Sequence, residues 1–447
     1  MSAPHPTFRE ALRFWLKLGL ISFGGPSGQI AIMHTELVEK KKWIGEERFL
    51  HALNYCMLLP GPEATQLATY CGWLLHRTWG GIAAGVLFVL PSALLLWLLS
   101  YVYVAYGQVA WIEAAFDGLK PAVTAIVIAA VWRIGQRALK NGFMWALAAM
   151  AFAALFFFHA PFPAVVAAAA AIGLAGGKFL PQWFPTPVPA KTSASAAAID
   201  DRATASEHTR PSWARAGKVL AMSLTLWWSP VIAAGLWQGW QSTLAQQGLF
   251  FSKAAMVTFG GAYAVLPYVG QQAVENFGWL SAPQMLDGLG LAETTPGPLI
   301  MVLQFVGFLG GWNQPGALSP LVAATLGAAM TTWTTFVPSF LFIFLGAPHI
   351  EELRGVVRLN QALSAVTATV VGVILNLAVW FGLHVFMPKA GVIDWFALAI
   401  CVTAFAALQR FKVGVIPIVF ASAALGVVKH ALFSSRDDAV ESGARCP

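Results

Sequence analysis

The sequence is short of charge. Only 11% of its 447 residues are Asp, Glu, Lys or Arg, whereas 58% are hydrophobic. Soluble chains carry about 25% charged residues, so this chain has too little polar surface to coat a folded core in water. Its apolar residues form long runs, such as 81–99, and about 20 such residues cross a bilayer as a helix. The composition therefore predicts a multi-pass membrane protein and excludes a soluble globular domain.

The sequence also lacks the common cofactor and metal motifs. It contains no Gly-x-x-x-x-Gly-Lys-Ser/Thr and no His-Glu-x-x-His, which excludes a phosphate-binding loop and a zinc-protease helix. Its four cysteines lie far apart, three of them in apolar stretches, which favours buried small side chains over disulfides. We therefore expect no cofactor, no metal and no enzymatic activity. No cleavable signal is evident at the N-terminus.

A repeat relates the two halves of the chain. Phe23-Gly-Gly matches Phe259-Gly-Gly, and Pro60-Gly-Pro matches Pro296-Gly-Pro, both at an offset of 236. Trp43 and Trp279 share that offset, and after an insertion two further anchors follow in the same order, including Pro91-Ser with Pro338-Ser. We predict a first repeat at 1–177, a flexible cytoplasmic linker at 178–218, and a second repeat at 219–447 with one extra leading helix.

Positive charges predict how the repeats lie in the membrane. We count about thirteen apolar segments, four of which (11–33, 51–75, 249–270 and 285–312) are interrupted by Phe-Gly-Gly or Pro-Gly-Pro. Loop 34–50 carries four Lys and Arg, whereas its equivalent 271–284 carries none, as two inverted halves would require. The charges are segregated better by nine spans with four re-entrant helical hairpins than by thirteen spans. Either arrangement places the N-terminus in the cytoplasm and the C-terminus outside.

The interrupted segments predict an anion site. Broken backbone at membrane depth must be shielded or line a polar cavity, and paired broken helices mark the sites of many transporters. We expect Pro62 and Pro298 at the first helical position, with the N–H groups of 63–66 and 299–302 pointing towards the breaks. The candidate substrate-binding residues are Gly24, Gly25, Pro26, Gln29, Pro60, Gly61, Pro62, Thr65, Gln66, Gly260, Gly261, Thr294, Thr295, Pro296, Gly297, Pro298 and Gln304.

Three charged residues near the breaks have alternative interpretations. Glu63 and Glu293 are candidates for proton coupling, because intramembrane acids are usually functional, although Glu63 also suits a helix cap. Arg77 either attracts anions towards the site or anchors the chain at the cytoplasmic surface. The residues alone leave a secondary transporter and a channel or scaffold as competing functions.

The motifs resemble those of the chromate ion transporter family, in its long two-domain form. The resemblance lies in Ser22-Phe-Gly-Gly-Pro-Ser-Gly-Gln29, in the run around Pro60-Gly-Pro-Glu-Ala-Thr-Gln66, and in Glu293-Thr-Thr-Pro-Gly-Pro-Leu-Ile300. Ala262 stands where the first repeat has Pro26, so the two halves differ at this point.

The resemblance implies export of chromate from the bacterial cytoplasm across the inner membrane, and hence chromate resistance. Sulfate, an isosteric dianion, is the alternative substrate, and an anion channel is the alternative mechanism. The lipid bilayer is the expected surroundings, nucleic acid is not an expected partner, and a homodimer is left open.

Overall fold

A computed structural model describes residues 5–23, 25–179, 183–184, 212–259, 261–349, 357–388 and 392–443, and within these ranges the chain is helical and contains no β-strand. Gly24, Gly260 and most of the predicted linker lie outside the described residues. The prediction of an all-α polytopic membrane protein is confirmed. Cys56, Cys71 and Cys401 are buried free thiols, as predicted.

The described part of the first repeat forms seven helices. They are α1 Phe8–Ile21, α2 Gly25–His34 (extended by a π-helical turn, Thr35–Lys40), α3 Glu46–Leu58, α4 Glu63–Tyr106, α5 Ala110–Ala138, α6 Gly142–Phe156 and α7 Phe162–Phe179.

Beyond residue 211, the described residues form nine further helices. They are α8 Trp213–Gln238, α9 Thr243–Val257, α10 Ala262–Gln271 (with a π-helical turn, Gln272–Asn276), α11 Ala282–Thr294, α12 Val302–Asn313 (preceded by a 3-10 turn, Leu299–Met301), α13 Pro320–Gly346, α14 Val357–Phe386, α15 Trp395–Gln409 and α16 Val415–Gly443.

The helix boundaries recur at the offset that relates the two repeats. Both ends of α3 and α11 differ by 236, and both repeats place a π-helical turn after the helix that follows Phe-Gly-Gly. Later helices continue the match beyond the sequence anchors. Asn141 starts α6 by accepting from the Met144 amide, and Asp394 starts α15 by accepting from the Ala397 amide. The repeated regions are therefore built from the same capping chemistry.

All four interrupted segments are broken, as predicted. Gly61 and Gly297 have φ of 118° and 104°, values that only glycine adopts readily. Pro62 and Pro298 have extended ψ and precede their helices by one residue, so the expectation that they occupy the first helical position is wrong. The carbonyl of Pro62 instead accepts the first helical bond, from the Gln66 amide.

Among the residues that the structure describes, seven helices are long and apolar enough to cross a membrane. They match seven of the nine predicted uninterrupted spans, while α6 and α15 have 15 residues each. Helix α4 has 44 residues because it continues from the first Pro-Gly-Pro through a kink at His76 and Arg77 into a span. On that span every fourth side chain is apolar and exposed, at Val86, Leu90, Leu94, Leu98 and Val102. This stripe suits contact with lipid.

The two repeats exchange their last helices. Helices α6 and α7 pack on α14 of the other repeat, and α15 and α16 pack on α5. Glycines permit these close contacts, since a Cβ on Gly118 of α5 would meet the backbone of Gly426 of α16, and the reverse also holds. The α5 and α14 pair is the most buried of the candidate spans, and it supports the broken helices.

Candidate functional site

Two backbone hydrogen bonds join the broken segments of opposite repeats. The Gly61 amide donates to the Thr258 carbonyl at 2.8 Å, and the Gly297 amide donates to the Ser22 carbonyl at 2.7 Å. Gly61 and Gly297 differ by 236, and so do Ser22 and Thr258. Each Pro-Gly-Pro therefore rests on the residue that precedes Phe-Gly-Gly in the other repeat, and the two contacts are exchanged by a two-fold relation.

The contact between Gly297 and Ser22, here called half-site A, also includes Gln29 and Ser92. Gln29 lies on α2 just after Phe-Gly-Gly and donates its side-chain amide to the Gly297 carbonyl at 2.5 Å. Ser92 of α4 lies against Gly297, because a Cβ built on that glycine would be 2.5 Å from the Ser92 Cβ. Half-site A thus combines the N-termini of α2 and of the turn leading into α12.

The other contact, half-site B, contains Gly61, Thr258, Gln66 and Ser339. Ser339 of α13 is the repeat equivalent of Ser92, and its Oγ would be 2.7 Å from a Cβ on Gly61. Gln66 donates its side-chain amide to the Pro60 carbonyl at 2.8 Å, which holds the Pro-Gly-Pro turn from within its own repeat. Half-site B combines the N-termini of α10 and α4.

The helix that follows each break begins with backbone N–H groups that have no partner within the helix. Neither Pro62 nor Pro298 caps its helix with a side chain, and Gly261 does not cap α10. The Gln66 amide bonds to Pro62 and the Met301 amide to Pro298, so fewer amides are available than the sequence predicted. The amides before them remain as the orphan donors of a helix start, and their positive potential suits an anion.

Several buried hydroxyl and amide groups at the half-sites have unused hydrogen-bonding capacity. Within the described residues, no hydrogen-bond partner is found for Ser92 Oγ, Ser339 Oγ, Thr65 Oγ1, Gln29 Oε1 and Gln66 Oε1. All five side chains are at most 1% exposed. Burying a polar group without a partner costs about 1–3 kcal/mol, so this concentration marks a place where a polar ligand would be stabilised.

The glycines of the two motifs face different surroundings. A Cβ on Gly25 or Gly261 would meet nothing within 4 Å, although both residues have positive φ. In contrast, Gly61 and Gly297 are packed against the two serines. Open space therefore lies beside Phe-Gly-Gly in both half-sites, while the glycine of Pro-Gly-Pro is closely packed.

The two half-sites are separated along the α4–α13 pair. These helices run antiparallel, with Gly85 against Phe340 and Trp97 Nε1 donating to Thr325 Oγ1 at 3.2 Å. Ser339 is therefore level with the residues just after Gly85, and Ser92 lies nearly two turns further along α4, or roughly 10 Å. The contacts therefore define two related half-sites, one at each Pro-Gly-Pro break.

The two predicted coupling acids lie in different surroundings. Glu293 is buried in the last turn of α11 and accepts a short hydrogen bond from the hydroxyl of Tyr263, near the start of α10. Glu63 opens α4 and is partly exposed. Their repeat equivalents are Met57 and Leu299, so neither acid is shared between the half-sites.

The remaining predicted residues are spread around the breaks. Gln304 of α12 donates to the Ala93 carbonyl at 2.8 Å, beside Ser92. Thr294 and Thr295 donate their hydroxyls to carbonyls of α11, so they hold the helix end and keep only acceptor capacity. Arg77 is exposed at the α4 kink, about 20 Å along the helix from Pro62, and is not brought to either half-site.

Sequence reasoning missed Ser92, Ser339, Tyr263 and Asp287 as candidates. The two serines were visible only as repeat anchors, because nothing in the sequence placed them against Pro-Gly-Pro. Asp287, a buried acid on α11, carried a usable signal, since an acid in an apolar membrane segment is usually functional.

Comparison with known proteins agrees with the repeated architecture. The model of the chromate transporter family matches residues 9–174 and 245–427, one region in each repeat. The chain belongs to the chromate transporter family.

Curated members of the chromate transporter family resemble this chain along most of its length. A protein of Cupriavidus metallidurans named chromate transport protein is 29% identical over 441 residues, covering 96% of this chain and 95% of the relative. A protein of the same name from Pseudomonas aeruginosa is 33% identical over 376 residues, covering 83% of this chain and 80% of the relative. No solved structure matches.

A shorter relative corresponds to part of this chain. The uncharacterized transporter YwrB of Bacillus subtilis is 31% identical over 141 residues, which cover 32% of this chain and 71% of the relative. That protein is therefore less than half as long as this member of the chromate transporter family.

Proposed function

We propose that this chain is a secondary transporter that exports chromate from the cytoplasm across the bacterial inner membrane. The observation that carries the proposal is the reciprocal pair of half-sites. Each combines two helix starts with a buried serine whose hydroxyl has no hydrogen-bond partner among the described residues. Two such places related by a two-fold exchange suit a carrier that opens alternately to each side.

The donor chemistry favours a tetrahedral oxyanion. Hydroxyl groups of Ser92 and Ser339, the hydroxyl of Thr65 and the free amides of helix starts all donate hydrogen bonds without adding a fixed positive charge. An oxyanion offers acceptors in several directions and is stabilised by helix N-termini. Because none of the residues that define the half-sites is positively charged, we expect binding weak enough for release. Sulfate presents the same shape and charge, so it is the alternative substrate.

The membrane potential supplies a driving force for export. An inside-negative potential contributes about 2.3 kcal/mol per charge per 100 mV, hence roughly 4.6 kcal/mol for a dianion. Exchange with another anion, or proton coupling through Glu63 or Glu293, would modify this force. We propose a cytoplasmic N-terminus and a periplasmic C-terminus, with support from the basic 34–50 loop and its equivalent 271–284, which contains no Lys or Arg.

Chromate uptake into inverted membrane vesicles tests the proposal. Ser92→Ala and Ser339→Ala each remove a donor to a charged ligand, worth about 1.5–3 kcal/mol, and so are expected to raise the concentration for half-maximal transport about 10- to 100-fold. Ser100→Ala is the matched control, because Ser100 is also buried on α4 but donates to the Leu96 carbonyl.

Four results would count against this function or against the half-sites. No chromate uptake by the unsubstituted protein would refute chromate transport, and preference for sulfate in competition would assign the other substrate. Uptake without saturable counter-flow would indicate a channel. If Ser100→Ala weakened transport as much as Ser92→Ala and Ser339→Ala, the half-sites would not be the substrate-binding sites.

A further inference from the structure

A second polar region lies away from the half-sites, at the other end of α11. A cavity of about 540 Å³ opens there between α5, α11 and the last three helices. It is lined by charged or titratable groups, which are Glu113, Asp117, Lys120, His384, Asp394, Lys429 and His430. Lys120 belongs to α5 and extends from this cavity towards the interior of the protein.

Asp287 is the buried acid that Lys120 reaches. Its side chain is 4% exposed, its Oδ2 accepts a hydrogen bond from the Tyr103 hydroxyl at 2.8 Å, and its Oδ1 has no hydrogen-bond partner among the described residues. Lys120 Nζ lies 3.9 Å from Asp287 Oδ1 and 2.7 Å from Asp117 Oδ1. One ammonium is therefore shared between an acid exposed to the cavity and an acid inside the membrane-spanning part.

The charge around Asp287 depends on the titratable groups of the helices that pack on α11. Helix α4 contributes Tyr103, and α5 contributes Lys120 with Asp117 and Glu113. Helix α12 contains no titratable residue. Among the described residues of α14 and α16, the titratable groups that line the cavity are His384, Lys429 and His430, and Lys429 is paired with Asp394 at 3.7 Å. Lys120 and Lys429 are both paired with acids, so the exposed Glu113 gives the cavity an excess negative charge. The cavity therefore suits protons or cations and not a dianion.

Helix α11 connects this cluster to half-site A. Asp287 and Glu293 are six residues apart on α11, about 9 Å along its axis, and Pro-Gly-Pro follows directly. Two glycines allow α11 to pack closely against its neighbours. Gly288 faces Phe305 of α12, and Gly290 faces Leu119 of α5. An axial shift of α11 would therefore break the Lys120–Asp287 contact and move Gly297 together with its hydrogen bond to Ser22.

We propose that Asp287 is a proton-binding site, reached from this cavity and separate from the anion half-sites, whose occupancy controls the position of α11. A proton from the cavity converts the carboxylate to the acid, which no longer attracts Lys120, and the ammonium is then held by Asp117 alone. Release of the proton restores the Lys120–Asp287 attraction. As a coupling device this rests on the proposed function, whereas proton binding itself does not.

Infrared difference spectroscopy of the reconstituted protein between acidic and neutral pH tests proton binding directly. We expect the carbonyl-stretch band of a protonated carboxylic acid to be lost in Asp287→Asn and retained in Glu113→Gln, an exposed acid of the same cavity. Tyr103→Phe keeps the carboxyl group and removes its hydrogen bond, so the band should move to higher frequency. An unchanged band in Asp287→Asn overturns the proposal. If Asp287→Asn does not fold, an unchanged band frequency in Tyr103→Phe would overturn the proposal.

Transport by proteoliposomes tests the coupling. We compare chromate exchange at equal concentrations with net flux driven by a pH gradient, and expect the ratio of the second to the first to fall at least tenfold in Asp287→Asn. An equal loss of both would mean a structural role and would overturn the coupling. Absence of exchange in the unsubstituted protein would refute the proposed function instead, while the infrared result still decides whether Asp287 binds a proton.

Discussion

Replacing Gly297 by alanine tests the packing of half-site A. Gly297 has φ of 104°, its amide donates to Ser22, and a Cβ there would be 2.5 Å from the Ser92 Cβ. The Ser92 Cβ is fixed to the α4 backbone, so no rotation of the side chain relieves this contact. In half-site B the matching neighbour is the Ser339 Oγ, which can rotate, so Gly61→Ala should be the milder change.

The expected cost has three parts. A non-glycine residue held at this φ is strained by about 1–3 kcal/mol. Forcing a methyl group into a packed contact costs about 1–3 kcal/mol, and losing the hydrogen bond to Ser22 costs about 0.5–1.5 kcal/mol. We expect Gly297→Ala to lower the free energy of unfolding by about 3–5 kcal/mol, because the local structure relaxes part of the sum.

Gly25→Ala is the matched control. Gly25 also has positive φ, at 72°, but a Cβ there would meet nothing within 4 Å, so only the strain of about 1–2 kcal/mol applies. The free energy of unfolding is measured by denaturant titration in detergent micelles. Adding Ser92→Gly to Gly297→Ala removes the opposing Cβ and should recover about 1–3 kcal/mol. Equal losses for Gly25→Ala and Gly297→Ala, together with no recovery in the double variant, would refute the packing argument.

Three further outcomes are expected. Gln29→Ala removes the hydrogen bond to the Gly297 carbonyl and should lower the free energy of unfolding by about 1–2 kcal/mol; its effect should not add to that of Gly297→Ala in the same titration. Glu293→Gln or Glu63→Gln should change the rate or pH dependence of chromate uptake into inverted vesicles, and no change in either variant would remove both as coupling candidates. Arg77→Gly should raise the thermal unfolding temperature, because Arg77 has φ of 55°, and a simultaneous loss of transport would assign Arg77 a role in attracting the anion.

The local breaks were predictable because they depend on backbone preferences of single residues. Pro-Gly-Pro cannot continue a helix, and an offset of 236 showed that the break recurs. The helix after each break was also predictable, except that Pro62 lies just outside it. That difference of one residue depends on ψ, which the proline ring leaves free.

The partners of the breaks were not predictable in the same way. The Gly61 amide bonds to a carbonyl almost 200 residues away, in the other repeat, and the local sequence contains no preference for that choice. The same applies to Ser92, whose hydroxyl lies beside Gly297 only because α4 passes the start of the second Pro-Gly-Pro helix.

The sequence by itself determined that this chain is helical, lies in a membrane, and contains the same two broken segments in each half. Composition, hydrophobic length and the conformations open to glycine and proline are properties of the chain alone. The tertiary structure decided that Pro-Gly-Pro of each repeat meets Phe-Gly-Gly of the other, and that Lys120 reaches Asp287. Those pairings depend on which helices pack together, since buried backbone and charged groups must find partners wherever the packing places them.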